Sequence, residues 1–371
     1  MIDYYRAWLI LARAYIDDAQ LHALMKRFGS AEAIVSQSAA ELGKTGLDRQ
    51  RCKAILSPDT AKLDREQEWL SEPGHHILCR YSDDYPELLS RIPGPPTLIY
   101  VAGSCDCLHL PSLAIVGSRN PTRGGLANAR GFASQLGQAG FSIVSGLAQG
   151  IDSAAHDAAL DAGTCTVAVL GHGMDRIYPS QNRRLARRIA AGGAIISEYP
   201  LGTPPRRAHF PQRNRLISGL SLGTLVVEGA KRSGSLITAR LAAEQGREVF
   251  ALPGSIHNPM SRGCHQLIQQ GAKLVESAED IVDELGSLVG HLMQNAKSSL
   301  QHNDFDKIRD NDYKSLIDAM GFDPATIDDI VENSGLTIEH VSSMLLILEL
   351  EGEIESLNGG QFSRIRSNAT Q

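Results

Sequence analysis

The sequence predicts an α/β protein whose middle portion is built on a parallel sheet. Six short runs rich in β-branched residues lie between residues 113 and 254, namely "LAIVGSR", "FSIVSGLA", "CTVAVLGHG", "AIISEYP", "GTLVVEG" and "EVFALPG". They alternate with helical segments such as "NARGFASQLGQAG" and "IDSAAHDAALDAG". Strands alternating with helices of roughly 10 to 14 residues indicate right-handed crossovers and parallel pairing. Ligands of such sheets bind beyond the carboxyl ends of the strands, so the glycine-polar turns that follow these runs mark the expected site.

Residues 1–70 predict a small helical domain of the SAM or helix-hairpin-helix type. "RAWLILARAY", "DAQLHALMKRFG", "SAEAIVSQ" and "DRQRCKAIL" each place apolar residues at helical spacing. Gly29 is suited to end one helix and Ser30 to cap the next. The turn "LGKTGL" is similar to a helix-hairpin-helix turn, which offers backbone N–H groups to DNA phosphate, but a plain accessory domain is the main expectation. The segment "YPELLSRIPGPPTLIYVAG" is interpreted as a Pro-rich connector to the sheet, which is assigned to residues 71–286.

Residues 287–310 have the composition of a linker, and residues 311–366 predict a winged-helix domain. Three helical segments, "YKSLIDAMG", "TIDDIVENSG" and "TIEHVSSMLLILELEG", precede the glycine-tipped hairpin "EIESLNGGQFSRI". A winged helix that reads DNA places a basic recognition helix in the major groove. The candidate helix here has three Glu and no Lys or Arg. We therefore expect a role in protein contact or regulation, for instance by competing with DNA for the basic middle of the chain.

The composition excludes several classes of protein. Hydrophobic residues make up 42% and charged residues 21%, as in ordinary globular proteins. The N-terminus lacks the basic region and cleavage site of a signal peptide, and no apolar run approaches the roughly 20 residues that span a bilayer. We expect a cytoplasmic protein with no membrane contact. Among six cysteines only Cys105 and Cys107 are close in sequence, at a spacing unlike a zinc knuckle. Reduced thiols, no metal and no cofactor are expected.

Charge is distributed unevenly along the chain. Residues 113–274 contain 18 Lys and Arg against 8 Asp and Glu, a balance of +10, whereas residues 309–366 contain 4 against 12, a balance of −8. The net charge of −6 conceals this asymmetry. A basic middle and an acidic end indicate two different kinds of partner.

Two turns have the composition of anion-binding sites. "VGSRNPTRGG" follows a strand and precedes a helix, so that Gly117 and Ser118 allow close approach while Arg119 and Arg123 supply charge. It matches neither a Walker A motif nor a dinucleotide-binding turn. "KRSGS" enters a second helix and provides Lys231, Arg232, Ser233, Gly234 and Ser235.

The segment "RRAHFPQRNRLISGLS", residues 206–221, has four arginines and no acid. Phe210 offers a base a surface on which to stack, and Arg213, Asn214 and Arg215 are candidate phosphate ligands. Several anion sites with an aromatic residue among them suit a polyphosphate chain better than one small phosphate. Single-stranded nucleic acid is the expected ligand.

Three further features leave alternatives open. Arg183 and Arg184 begin a helix without acidic residues, which either contacts a nucleic-acid backbone or is simply solvated. Asp152 and His156 are one turn apart, and a structural role at the helix start is favoured over acid–base chemistry. Glu228 follows a strand in a basic region, where it could orient arginines or act as a catalytic carboxylate.

Many long motifs together resemble the DNA-processing protein A family (DprA, also called Smf). They include "VGSRNPTRGG", "SGLAQGIDSAAHDAAL", "GHGMDRIYPSQNRRL", "HFPQRNRLISGLS" and "VVEGAKRSGSLITARLAAEQGREVFALPGSI", in order over about residues 80–285. The resemblance implies an extended Rossmann-like domain that binds and protects single-stranded DNA. It also implies a homodimer that loads a RecA-type recombinase in natural transformation or recombination, without enzymatic turnover. The implied DNA pocket comprises Gly117 to Arg119, Phe210, Arg213 to Arg215, Lys231 to Ser235, and the basic helix after Tyr178 and Pro179.

Two other functions compete with this interpretation. Nucleoside-monophosphate phosphoribohydrolases of the LOG type are similar around "GTLVVEG", but their motif needs Pro-Gly-Gly and a glutamate three residues after the threonine. Here Glu228 follows Thr224 by four residues and the Pro-Gly-Gly is missing. A DNA-binding regulator that acts through its winged helix is the third interpretation, and the acidic recognition helix argues against it.

Overall fold

The computed structural model describes residues 3–286, 316, 319–320, 324–350, 354–357 and 361–364. Its main feature is a nine-stranded sheet with the order β1-β2-β6-β5-β4-β3-β7-β8-β9. The strands are β1 (His75–Cys79), β2 (Leu98–Gly103), β3 (Ser112–Val116), β4 (Ser142–Ser145), β5 (Thr166–Leu170), β6 (Ala194–Ser197), β7 (Gly223–Val226), β8 (Glu248–Ala251) and β9 (Lys273–Leu274).

The parallel part of the sheet confirms the α/β prediction. Strands β3 to β9 pair in parallel, and all six predicted runs contain a strand. Strand β2 joins antiparallel to β6, and β1 pairs antiparallel to β2. Strand β2 corrects the interpretation of residues 85–103 as a connector, because its residues belong to the sheet. The prolines of this segment indicated a loop, although the apolar run "LIYVAG" that follows them forms β2 and pairs with β6.

Helices cover both faces of the sheet. Along β3, Leu113 and Ile115 point into one apolar cluster and Ala114 and Val116 into the other. The helices of this region are α7 (Glu87–Ser90), α8 (Arg123–Gln138), α9 (Ile151–Asp161), α10 (Arg183–Gly192), α11 (His209–Gly219), α12 (Gly234–Glu244) and α13 (Arg262–Gln269). Helices α8 and α9 pack on the face of Leu113, and α11 to α13 pack on the face of Ala114. Burial on both faces explains why the strands are apolar throughout.

Six helices precede the sheet and share its core. They are α1 (Tyr4–Arg13), α2 (Asp18–Phe28), α3 (Ala31–Val35), α4 (Ala39–Gly43), α5 (Arg49–Leu56) and α6 (Thr60–Leu70). Their apolar cluster includes Ile77 and Tyr100 of the antiparallel strands. Gly29, at φ +85°, ends α2, and the Ser30 hydroxyl caps α3, as predicted. Asp48 caps α5, because its carboxylate accepts from the Arg51 amide at 2.8 Å.

The described part of residues 324–364 has winged-helix elements. Helices α14 (Ile327–Ser334) and α15 (Ile338–Leu350) are followed by β11 (Ile354–Leu357) and β12 (Gln361–Arg364), which form a small sheet with β10 (Ala325–Thr326). The predicted linker 287–310, most of the first predicted helix and the tip of the hairpin lie outside the described residues.

The winged-helix part contacts the amino-terminal ends of the parallel strands. Leu346 of α15 is buried in the cluster under α8 and α9. Gly140 lies two residues before β4, and a Cβ there would lie 3.1 Å from the Ser342 carbonyl oxygen. Because ligands of parallel sheets bind at the opposite, carboxyl ends, this arrangement does not support direct competition between α15 and DNA.

Two further observations concern cysteines and membranes. Cys107 and Cys165 form a disulfide with Cα atoms 5.6 Å apart, because the fold brings residues 58 positions apart together. This corrects the expectation of reduced thiols for these two residues, whereas the other four cysteines are free thiols. Within the described residues, no His, Cys, Asp or Glu cluster could hold a metal ion. None of the described helices is long and apolar enough to span a bilayer.

His156 predicts an acid-dependent loss of stability. The Thr166 hydroxyl donates to the Ile143 carbonyl and therefore accepts from His156 Nδ1–H, which leaves the buried Nε2 without a partner. Burial, aided by the charge of Arg213, lowers the pKa of His156 from 6.5 to about 3. Between these values only the unfolded chain takes up the proton, so stability falls as pH falls, by up to about 1.4 kcal/mol per pH unit.

The variant His156→Asn should flatten this dependence, since the amide can donate to Thr166 but does not titrate. Urea unfolding of both proteins at about pH 7 and about pH 5 measures the difference. Parallel pH profiles for the two proteins would contradict the assignment.

Candidate nucleic-acid interface

The candidate site lies where the strand order reverses. Strand β3 pairs with β4 on one side and with β7 on the other. The connections that follow β3 and β7 therefore run to opposite sides of the sheet. Helices α8 and α12 begin after these two strands. A crevice at such a switch point is the usual ligand site of an open parallel sheet, and two helix N-termini there favour anions.

The turn after β3 is held by close packing and exposes two arginines. Gly117 abuts Ile151, and a Cβ at this position would lie 2.6 Å from that side chain. A Cβ at Gly150, whose φ is +86°, would lie 2.3 Å from the Ser118 carbonyl oxygen. Arg119 and Arg123 are exposed. The structure therefore places all four predicted residues of this turn at the crevice.

Glu228 joins the two sides of the crevice. Its buried carboxylate accepts hydrogen bonds from the Thr122 amide at 2.9 Å and from the Thr122 hydroxyl at 2.6 Å. The same hydroxyl accepts from the Gly125 amide and caps α8. A Cβ at Gly125 would come within 2.5 Å of the carboxylate, so glycine is required. Glu228 thus orients the turn that bears Arg119 and Arg123, and both its oxygens are engaged.

The turn after β7 forms the opposite wall. The Ser233 hydroxyl accepts from the Ser235 amide and lies 2.6 Å from the Ser235 hydroxyl oxygen. Lys231, Arg232 and Gly234 are exposed. No carboxylate of the described residues pairs with either cation. Their charge is available to a ligand.

Aromatic rings continue the site from Arg119. The Arg119 guanidinium lies 5.9 Å from the Phe210 ring centroid, within the range of a cation–π contact. The ring of Tyr178, which is 47% exposed, lies 5.6 Å from the Phe210 ring between centroids. From the sequence, Tyr178 is expected only beside the basic helix. Its position next to Phe210 depends on the fold, which brings the "YPSQN" turn and α11 together.

The arginine-rich segment divides between the interior and the surface. Arg213 is only 4% exposed, and its Nη1 donates to the carbonyls of Gly146 and Val169. Burial lowers its pKa to about 10, while the charge of Asp152 acts in the opposite direction. The Asp152 carboxylate accepts from the Gly146 and Ala148 amides. Arg213 is thus a core residue, and Asp152 fixes the turn after β4 rather than bonding to His156.

The other predicted residues of this segment are also partly enclosed. Arg215 forms an ion pair with Glu198, and burial raises the pKa of that carboxyl despite the arginine. Asn214 is half-buried. In contrast, Arg206 and Arg207 are exposed and have no ion-pair partner among the described residues. These two arginines, which were not among the predicted ligands, carry the free charge of the segment.

The basic helix α10 presents a mixed surface. Arg183 and Arg184 are exposed and have no ion-pair partner in the part of the chain that the structure describes. Arg188 instead pairs with Asp157 and Asp161 of α9, the latter at 2.6 Å. Asn182, just before the helix, donates to the Leu147 carbonyl and so joins this region to the turn after β4. Arg187 is exposed as well and has no ion-pair partner among the described residues, so the free charge of α10 lies in its first half.

Together these features define a Rossmann-like α/β protein with a crevice lined by exposed cations, to which a winged-helix domain is attached. The family model for DNA recombination-mediator protein A matches residues 76–286, and the model for the DprA winged-helix domain matches residues 306–360. The chain belongs to the DprA/Smf family.

Several known proteins are similar over most of the chain. Protein Smf of Escherichia coli is 41% identical over 88% of this chain and 87% of its own length. DNA processing protein DprA of Streptococcus pneumoniae is 46% identical over 61% of this chain and 78% of its own. An X-ray structure of DprA from that organism superposes with a TM-score of 0.68 at 37% identity, covering 76% of this chain and 99% of that one.

Arg213 is predicted to support folding rather than to contact a ligand directly. Arg213→Ala would leave Asp152 buried without its cation and two carbonyls without this donor, which should cost about 3–5 kcal/mol. Adding Asp152→Asn should restore part of the loss, because the buried charge is removed as well. Urea unfolding measures both variants, and Arg91→Ala, which removes an exposed arginine, is the control. Equal stabilities of Arg213→Ala and the control would refute this role.

Proposed function

We propose that this protein binds single-stranded DNA at the crevice between the turns after β3 and β7. The observation that carries the proposal is the cluster of Arg119, Phe210 and Tyr178, flanked by exposed cations that have no carboxylate partner among the described residues. Cations contact phosphates without regard to sequence, and aromatic rings stack on unpaired bases. The bases of a duplex are already stacked on one another, so this combination favours the single strand.

A solved relative supports the choice of ligand. The structure whose title describes the single-stranded DNA binding mode of DNA processing protein A from Helicobacter pylori superposes with a TM-score of 0.52 at 30% identity. It covers 57% of this chain and 95% of that one.

The wider role follows from family membership and is part of the same proposal. We propose that the chain protects incoming single-stranded DNA and loads a RecA-type recombinase onto it, as a homodimer and without catalytic turnover. The match to the recombination-mediator family supports this role. A mediator needs sequence-independent contacts, and the exposed arginines and lysine at the crevice are of that kind.

The competing functions lack support from the site. A phosphoribohydrolase would need Glu228 as a free carboxylate, whereas both of its oxygens accept from Thr122. A duplex reader would need an accessible recognition helix, whereas seven of the eight residues from Val341 to Leu348 are buried. Neither observation favours a second candidate function.

Charge removal tests the phosphate contacts. Arg119→Ala and the double variant Arg206→Ala, Arg207→Ala should weaken binding of a labelled dT oligonucleotide. They should also flatten the log–log salt dependence by about 0.7 per phosphate contact removed. Fluorescence anisotropy across a salt series measures both effects, with a duplex of the same length expected to bind more weakly.

Arg91→Ala is the matched control, because Arg91 is exposed and follows the short helix α7, away from the crevice. If the control lowers affinity as much as the crevice variants do, binding is a general charge effect and the proposed site is wrong.

Ring removal tests base stacking separately. Phe210→Ala and Tyr178→Ala should each cost about 1–3 kcal/mol of binding free energy. The salt slope should stay unchanged because no phosphate contact is lost. Tyr15→Asn is the control, since Tyr15 is 72% exposed on the helical part and Asn tolerates its positive φ. If both ring variants bind the oligonucleotide with wild-type affinity, the rings do not stack on bases.

A further inference from the structure

A fully buried carboxylate links the N-terminal helices to the segment that carries the free arginines. Glu66 of α6 has no exposed surface. Its Oε1 accepts from the Tyr100 hydroxyl at 2.7 Å and from the Leu201 amide at 3.3 Å. Both of its oxygens also accept from the Arg13 guanidinium, at 2.8 and 2.9 Å. The donors come from a helix, a strand and a loop that are distant in sequence.

The loop held by Glu66 leads directly into the proposed site. Residues 201–208, here called the arginine loop, run from Leu201 to the start of α11 and include Arg206 and Arg207. Leu201 itself is buried in the apolar cluster of the N-terminal helices. The beginning of the arginine loop is therefore attached to the helical part both by packing and by a hydrogen bond to a charged acceptor.

A second contact ties the same loop to the turn that bears Tyr178. The Asp175 carboxylate accepts from the Gly202 amide at 2.8 Å and pairs with Arg65, the residue next to Glu66, at 3.4 Å. The Gly173 amide donates to the Thr203 carbonyl at 3.0 Å. The helix α6 thus contacts both segments that carry the exposed arginines and the aromatic residue of the proposed site.

The chemistry of Glu66 requires all its partners to be in place. A buried carboxylate is tolerated only where cations and hydrogen-bond donors surround it. Burial, together with the charge of Glu66, holds the pKa of Tyr100 well above its ordinary value, so the phenol remains a donor. If the arginine loop moved away, Glu66 would lose one of the donors that compensate its burial. The loop is consequently biased towards one position.

We infer that Glu66 is a positioning residue for the single-stranded DNA site, and that the N-terminal helical part presets the arginine loop through it. This inference rests on the proposed function, because it concerns the same site. Glu66 does not contact DNA. It restricts the conformations of the arginine loop in the free protein. Arg206 and Arg207 therefore lose less conformational entropy when they bind phosphates.

The test is a double-mutant cycle in the full chain. Glu66→Gln should weaken dT-oligonucleotide binding about tenfold at fixed salt while the log–log salt slope remains that of the wild type, since no phosphate contact is removed. In a background with Arg206→Ala and Arg207→Ala, the same change should have little further effect. General destabilisation would instead cost the same factor in both backgrounds.

Two further variants keep the test informative. Asp64→Asn changes an exposed carboxylate on the same helix, which pairs with Arg6 and not with the loop, and should leave binding unchanged. Tyr100→Phe removes one donor to Glu66 and keeps the ring, so it should fold and weaken binding by a smaller factor with an unchanged slope. It serves as the deciding variant if Glu66→Gln does not fold.

The outcomes separate the two proposals. Equal losses for Glu66→Gln in both backgrounds, or no loss in either, would overturn the positioning role while leaving the DNA site intact. Wild-type protein that does not bind the oligonucleotide would overturn the proposed function, and the inference with it.

Discussion

The position of β3 between β4 and β7 is the constraint on which the rest of the structure depends. The turns after β3 and β7 diverge from neighbouring strand ends, so a crevice opens between two helix N-termini. Glu228 spans this crevice and fixes Thr122, which in turn caps α8. Because both oxygens of Glu228 accept from Thr122, this carboxylate stabilises the turn and does not pair with the exposed arginines nearby. The crevice keeps an excess of positive charge for a ligand.

Burial decides which charges are available to that ligand. Helix α11 directs Arg213 into the interior, where Gly146 leaves space for its guanidinium, and directs Arg215 towards Glu198. The same segment leaves Arg206 and Arg207 in solvent before the helix begins. The arginines of this one segment therefore have two roles. Arg213 supports the core, whereas Arg206 and Arg207 are exposed at the surface.

The two ends of the sheet differ in chemistry. The carboxyl ends carry the unpaired cations and the aromatic rings, and the amino ends contact the winged-helix part, whose sequence is acidic. Helix α15 is apolar on more than one side because it packs against its own domain and also supplies Leu346 to the cluster under the sheet. A phosphate chain would be attracted to one end of the sheet and repelled from the other, in agreement with the DNA site proposed at the crevice.

The sequence by itself determined the α/β class, six of the parallel strands and the two glycine-polar turns that follow them, because hydrophobic periodicity and turn composition are local signals. It also carried the family resemblance. Only the tertiary structure decided that β1 and β2 extend the sheet, that Cys107 meets Cys165, and that Tyr178 lies beside Phe210. The same holds for Arg213 and Glu66, whose burial and partners depend on segments far apart in the chain. Local sequence specifies which groups are present, whereas long-range packing specifies which of them remain free to bind.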